Sequence, residues 1–312
     1  MKEATTPRLS VIVDSFWSSP NELQLVKRNV RQSLAQLRRL EVPFELLLVA
    51  SRDPGISHEG LRLVLAEGLG GYARKSLGFR EARADLVAFL DGDCVPHEEF
   101  FTRILKSFSE KPELRALAGS VVYEGKSLLS RVNSVLSFGP LFVAESTCDR
   151  GFICNTNSFS LRRGSLPDPL FGPWLGRVNG DVFISQWLYD QGTPIVLDPL
   201  IQICHADPST SLIALLERHF REYLRNLRDP RQLLPWRLSA WKMLRSFVYS
   251  FRDRLVRFRK YAGHFEFSRF ERAIVPLVFL FYVFLDSLAL LALILWPPLA
   301  RRWFSYQEGR SL

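Results

Sequence analysis

The chain has 312 residues, 47% hydrophobic and 23% charged, with a formal net charge of +9 from 41 Lys and Arg against 32 Asp and Glu. That balance excludes wholesale disorder and leaves room for one large domain with an appendage, or two modest domains. The basic excess suits nucleic acid, an acidic membrane surface or a phosphorylated substrate, and its distribution along the chain decides among them.

Cys94, Cys148, Cys154 and Cys204 show no C-x-x-C spacing. This argues against a zinc or thioredoxin-like motif and for isolated thiols in a reducing compartment. The opening "MKEATTPRLSVIV" carries only a short apolar run, so a secretory signal is not expected and the main domain is placed in the cytosol.

In chain order, "LSVIV" (9–13) reads as a buried strand. Leu23, Val26, Val30, Leu34, Leu37 and Leu40 repeat at helical spacing. "FELLLVA" (44–50) and "LRLVLA" (61–66) are strands, 73–84 a helix, and "DLVAFL" (85–90) a further strand. Strands alternating with helices predict an α/β fold, a Rossmann-like, mostly parallel sheet flanked by helices. Ligands of such sheets sit at the carboxyl ends of strands. Beyond it, "ALAGSVVY" and "NSFSL" read as strands and 127–143 as a helix, Val182, Ile184, Trp187 and Leu188 suggest a helix ending at Gly192, and 194–206 holds the last strand signals.

After about residue 209 the character changes. Residues 212–227 read as a helix with basic residues, and 236–272 interleave aromatic with basic side chains. Then "AIVPLVFLFYVFLDSLALLALILW" (273–296) is apolar with one charge, Asp286. About 20 apolar residues span a bilayer. Flanking Arg269, Arg272, Trp296, Arg301, Arg302 and Trp303 suit an interface. The expectation is a C-terminal membrane-associated helical segment, with 273–296 spanning or deeply embedded and the basic-aromatic stretch on anionic lipid. Asp286 is the reservation, because a carboxylate at mid-bilayer is costly and needs a partner. A nucleic-acid surface does not explain the adjoining apolar span.

"FLDGDCVP" (89–96) places Asp91 and Asp93 at the end of a buried strand. A hard cation such as Mg²⁺ or Mn²⁺ bridges such carboxylates to substrate phosphates. Alone, the pair also fits a solvated turn. An EF-hand is excluded, because Val95 falls where an oxygen ligand is required and Thr102 where an acid is required. "GLGGYA" (Gly68 to Ala73), between a strand and a helix, matches a dinucleotide-binding turn. It would sit on the third strand rather than the first, and hydride transfer has no need for Asp93.

The stretch "GGYARKSLGFREARADLVAFLDGDCVP" resembles the heart of family 2 glycosyltransferases of the GT-A fold. Their run G-x-A-x-x-x-x-G-x-x-x-A-x-x-x-x-x-x-F-L-D-x-D-x-x-P is matched by Gly71, Ala73, Gly78, Ala82, Phe89, Leu90, Asp91, Asp93 and Pro96. "GFICNTNSFSLRRG" resembles the acceptor-side segment, with Asn155, Arg162 and Arg163. "NGDVFISQWLYDQG" resembles the G-E-D-x-D stretch, with Asp181 on the catalytic aspartate. "DPLIQICHADPSTSL" resembles the segment carrying a late histidine, here His205, and "RHFREY" the basic stretch after it, with Arg218 and Arg221. The likeness covers about residues 8–225; residues 1–225 are taken as the catalytic domain, followed by a basic-aromatic interfacial segment at 226–272 and the hydrophobic helix with a short basic tail at 273–312.

The resemblance implies a membrane-associated glycosyltransferase. It implies a divalent cation on Asp91 and Asp93, with His205 as a further metal or diphosphate contact. Arg74 and Lys75 would face the nucleotide or its phosphates. Asp181 would be the base of an inverting transfer to a lipid-linked or glycan acceptor at the cytosolic membrane face. Asn155 and Arg163 would serve the acceptor side, Arg218 and Arg221 the product phosphates. The chain departs from the family where the first strand should run into P-T-Y-N and here reads Asp14, Ser15, Phe16 and Trp17. It departs again after the second strand, at Ala50 to Asp53, and in Gly180 where an acid is usual. Asp14 or Asp53 would substitute as base contact, and a UDP-sugar is the default donor. An NAD(P) oxidoreductase using the Gly68–Ala73 turn, and a non-catalytic membrane-anchored sugar-nucleotide binder, stand as alternatives.

Overall fold

A computed structural model describes residues 6–17, 19–125, 127–143, 146–147, 153–165, 170, 180–206 and 240–295. The expected helix at 212–227, with Arg218 and Arg221, lies outside the described residues.

The first half alternates as the sequence predicts. Strand β1 (Leu9–Ser15) is buried along its whole length. Helix α1 (Pro20–Leu37) opens on a capping box, in which Ser19 and Glu22 each accept the other's backbone N–H, with Pro20 in the first turn. Strands β2 (Phe44–Ala50) and β3 (Leu61–Leu65), helix α2 (Gly71–Glu81) and strand β4 (Leu86–Asp91) follow. β1 pairs in parallel with both β2 and β4, and β2 with β3. Gly78 lets α2 lie flat on this sheet: a Cβ there would come within 2.6 Å of Ile12 and 2.9 Å of Val49.

The second half is different. After β5 (Cys94–Pro96) and α3 (Phe100–Glu110) come β6 (Ala116–Tyr123), α4 (Leu128–Phe138), β7 (Ser146–Thr147), β8 (Phe159–Arg162), α5 (Gly180–Asp190) and β9 (Ile195–His205). The sheet order is β3-β2-β1-β4-β8-β6-β9-β5, with β7 also on β9. β8 runs antiparallel to β4 and β6, and β9 antiparallel to β5 and β7. The expectation of a mostly parallel sheet is therefore corrected to a mixed one. Strand signals fix the side-chain period but not the direction, and β5 and β7 are too short to show a period at all.

The chain divides into two compact units, 1–122 with 141–206, and 123–140 with 207–312. In the second, α4 meets α6 (Ala240–Tyr261) and α7 (Arg269–Leu295). Phe258 of α6 stacks edge-on against Phe279 of α7, and the Tyr282 hydroxyl donates to the buried Asn133 of α4 at 2.9 Å. Among the described residues no helix is long and apolar enough to cross a membrane. The expected span over 273–296 is thus unsupported within 273–295, and residue 296 lies outside the description. Asp286, the reservation of the sequence reading, pairs with Arg254 of α6 at 2.7 Å.

Candidate functional site

The register of β1 and β4 sets Asp14 beside Asp91 at the carboxyl edge of the sheet. Gly92 then turns the chain closely over β1, its N–H on the Asp14 carbonyl at 2.8 Å. A Cβ there would meet the Ser15 hydroxyl at 2.9 Å. Two neighbouring carboxylates need a counter-charge, and α2 delivers it from its first turn. Lys75 Nζ lies 3.1 Å from Asp14 Oδ1, makes a short contact to Asp91 Oδ1, and donates to Thr156 Oγ1 at 3.2 Å. Arg74 lies 3.3 Å from the other Asp14 oxygen.

Asp14, Arg74 and Lys75 are all buried. Burial works against the Lys75 charge, but Asp14, Asp91 and Asp181 outweigh it and hold its pKa well above the ordinary lysine value. Burial pushes the Asp14 carboxyl up, against the pull of Lys75 and Arg74. The expectation that Arg74 and Lys75 face donor phosphates is thus refined: both are engaged by strand-end carboxylates.

On the open side of Asp91 a second group assembles. β5 follows β4 after a two-residue turn and pairs with the end of β9, Cys94 opposite His205. The Ala206 N–H closes this turn on the Asp93 carbonyl at 3.0 Å. Ligand atoms of Asp91, Asp93, Cys94 and His205 consequently lie within 4.8 Å of one another. His205 Nε2 is 3.7 Å from Asp93 Oδ1, and Nδ1 is 2.8 Å from the Ala206 carbonyl. That carbonyl accepts only from Nδ1–H, the tautomer that leaves Nε2 as the ligating nitrogen. Two carboxylates and an imidazole fit a hard or borderline divalent cation. The Cys94 thiol is held protonated by burial and by Asp93 and Asp91, which push its pKa well up.

Asp181 stands in the first turn of α5. Its Oδ1 accepts the Thr156 N–H at 3.2 Å, and Thr156 also receives Lys75. The chain Asp91–Lys75–Thr156–Asp181 thus joins the metal-type cluster to the expected base. Ser185 ties the same turn to the Cys154 backbone at 2.9 Å. Burial and Asp181 push the Cys154 thiol up to about 12. Gly180 replaces the acid that is usual in the resembled motif, and the reason is steric: a Cβ there would sit 2.3 Å from the Tyr72 ring.

The remaining candidates are placed as follows. Asn155 precedes Thr156 and accepts from the Asn157 N–H at 3.4 Å, within the turn that reaches Asp181. Asp53 lies just beyond β2, exposed, its carboxylate taken by the Gly55 N–H at 2.7 Å. It makes no contact with the Asp14–Lys75 group among those described. Arg163 is not brought to the site. β8 runs against β4 with Arg162 opposite Leu86, which puts Arg163 a full strand, roughly 20 Å, from Asp91. There its guanidinium donates to the Ala82 and Arg80 carbonyls and lies over Phe79. The acceptor role expected for it is replaced by one at the C-terminus of α2.

Three neighbours of the site escape the sequence reading. Asn29, fully buried on α1, donates to the Asp91 carbonyl at 2.8 Å and is itself held by Ser33. A polar residue on the apolar stripe of Val26, Val30 and Leu34 was a usable signal. Thr156 and Tyr72 give no local signal, since their partners come from distant segments.

The sequence model described as Glycosyl transferase family 2 matches residues 57–167, the segment that carries α2, Asp91, Asp93 and Thr156. The glycosyltransferase AglE of Haloferax volcanii is 23% identical over 231 residues, 70% of this chain and 72% of that protein. The mannosyltransferase PcManGT of Pyrobaculum calidifontis, solved in complex with GDP-Man and Mn²⁺, superposes with a TM-score of 0.50 at 16% identity, over 94% of this chain and 88% of that one. At that identity the superposition speaks for the fold, a GT-A-like α/β architecture. The matched segment, the curated relative and the fold coincide on the strand-end carboxylates, and there the chain resembles glycosyltransferase family 2.

Proposed function

We propose that the enzyme moves a sugar from a nucleoside-diphosphate sugar to a lipid-linked or glycan acceptor at the cytosolic face of a membrane, with inversion at the anomeric carbon. A UDP-sugar is the default donor, and a GDP-sugar is the first alternative because the fold neighbour was solved with GDP-Man. One observation carries the reading: Asp91, Asp93 and His205 converge on one point, and Lys75 and Thr156 link that point to Asp181.

In this reading Asp91, Asp93 and His205 hold Mg²⁺ or Mn²⁺, which when bound neutralises charge on the departing diphosphate. Asp181 takes the proton of the acceptor hydroxyl. The hydroxyl oxygen bonds to the anomeric carbon as that carbon's bond to the diphosphate oxygen breaks, and the nucleoside diphosphate leaves. The Thr156 N–H fixes the orientation of the Asp181 carboxylate. Lys75 supplies the counter-charge to Asp14 and Asp91 at the buried edge of the site. Asn155 sits in the same turn as Thr156 and lines the acceptor side. Asp53 faces the nucleoside end, and Arg218 and Arg221 contact product phosphates.

The match to the glycosyltransferase model weighs against the oxidoreductase alternative. Asp91, which such an enzyme would present to a ribose, is engaged by Lys75. It also sets aside the non-catalytic binder.

The test is a panel of UDP- and GDP-sugars with Mn²⁺ or Mg²⁺, scored by thermal shift and by release of nucleoside diphosphate. A cation-dependent rise in melting temperature with one donor is expected. It should shrink in His205→Ala, which removes one of the three proposed ligands. Donor binding that ignores cation in both proteins would overturn the metal assignment.

A further inference from the structure

The second compact unit carries a surface that the transfer chemistry does not use. Helix α7 is apolar on two opposite sides. One side is filled from within: Val275, Phe279, Tyr282 and Val283 are buried. The other side bears Phe270, Leu277, Phe281, Phe284 and Leu288, which are 74%, 63%, 40%, 53% and 42% exposed. Their spacing of seven, four, three and four residues is one stripe along the helix. Exposed apolar stripes of this size mark a docking face.

The surroundings of the stripe name its occupant. Arg252, Arg257, Arg259 and Lys260 on α6 and Arg269 and Arg272 on α7 are exposed. Of the nearby acids, Asp253 pairs with Arg257 and Glu271 with Arg131 of α4, and Glu266 is exposed; Arg252, Arg259, Lys260, Arg269 and Arg272 still leave a positive excess. An apolar stripe beside unbalanced cations complements an anionic lipid surface. A second copy fits worse, because a two-fold interface would bring the same cations against each other.

The packing also fixes the mode. Phe258 meets Phe279 and Arg254 meets Asp286, so α6 runs antiparallel beside α7. Glu271 and Asp286, about 22 Å apart along α7, are both held by arginines of the same unit. If α7 crossed the bilayer, the basic flank of α6 would be drawn into hydrocarbon with it. We infer that the α6–α7 pair lies in the plane of an anionic membrane, with Phe270, Leu277, Phe281, Phe284 and Leu288 in the acyl boundary. This builds on the membrane partner in the proposed function and replaces a spanning anchor by an in-plane one.

The experiment floats the full chain with phosphatidylcholine vesicles, with and without phosphatidylglycerol. Binding is expected only with the anionic lipid, weakening as salt rises and released by alkaline carbonate. Leu277→Glu with Phe284→Glu should lower the partition coefficient by roughly tenfold or more per side chain. Arg259→Glu with Lys260→Glu should lower it in anionic vesicles alone. Equal binding to neutral vesicles, carbonate resistance, or a lipid-free dimer that the Glu pair dissolves would each overturn the inference. Donor binding in the presence of Mn²⁺, read by calorimetry without vesicles, should match wild type in Leu277→Glu/Phe284→Glu, showing a folded protein. Absence of donor binding in wild type would count against sugar transfer and leave the vesicle result standing.

Discussion

Lys75 reaches both Asp14 and Asp91, the two carboxylates that strand register sets side by side at the edge of the sheet. The ammonium occupies the buried side of the pair and leaves the open side of Asp91 to Asp93 and His205. A carboxylate pair at a strand end is tolerable here because one internal cation is built in and the geometry accommodates a second.

Replacing Lys75 removes that compensation. Lys75→Met should destabilise the fold by about 3–5 kcal/mol, the cost of breaking a buried pair from one side. The sign of its pH dependence is fixed by Asp14, whose carboxyl burial already pushes above its ordinary 3.8. Without Lys75 it rises further, so the native state binds the extra proton. Stability of the variant should then increase as pH falls through that raised value and level off near the ordinary one. Urea melts across pH check this, and a Lys75→Met profile parallel to wild type would count against it.

Asn29→Ala leaves the buried Asp91 carbonyl without its donor. A loss of about 1–3 kcal/mol is expected by chemical denaturation, with weaker cation binding by calorimetry because Asp91 is no longer held from behind.

Gly180→Glu restores the acid of the resembled motif but drives it into Tyr72. The single variant should lose activity and stability, and Tyr72→Ala in the same chain should recover much of both. A double-mutant cycle in melting temperature measures the coupling, and additive effects would show that Tyr72 is not what excludes the side chain.

Arg163→Ala should leave the KM for donor and kcat near wild type while lowering stability by about 1–3 kcal/mol, through the Ala82 and Arg80 carbonyls it serves. A selective rise in the acceptor KM would return Arg163 to the site.

The parts of this fold legible in the sequence are those with local physical causes. Buried β1 and β4 appear as apolar runs, α2 as a helix expected over 73–84 and found over Gly71–Glu81, and the Asp91–Asp93 pair as an acid-rich strand end. Also legible was the late histidine, although what brings it to Asp93 is β5, three residues long and without a periodic signal. What stayed hidden depends on chain return. Thr156 links Lys75 to Asp181 only because β8 comes back beside β4, and the same antiparallel return carries Arg163 to the wrong end for an acceptor contact. The apolar run of α7 reads as a spanning or deeply embedded segment because composition does not show that Asp286 meets Arg254 or that one side of the helix is already filled.

The central claim is that Asp181 removes the acceptor proton while Asp91, Asp93 and His205 hold the donor's cation. The direct measurement is Asp181→Asn, comparing donor affinity by calorimetry in the presence of Mn²⁺ with turnover in sugar transfer. The account predicts a Kd for donor within about threefold of wild type and a kcat lowered by roughly 10²–10⁴. Lost donor binding with an unchanged kcat at saturating donor would contradict it.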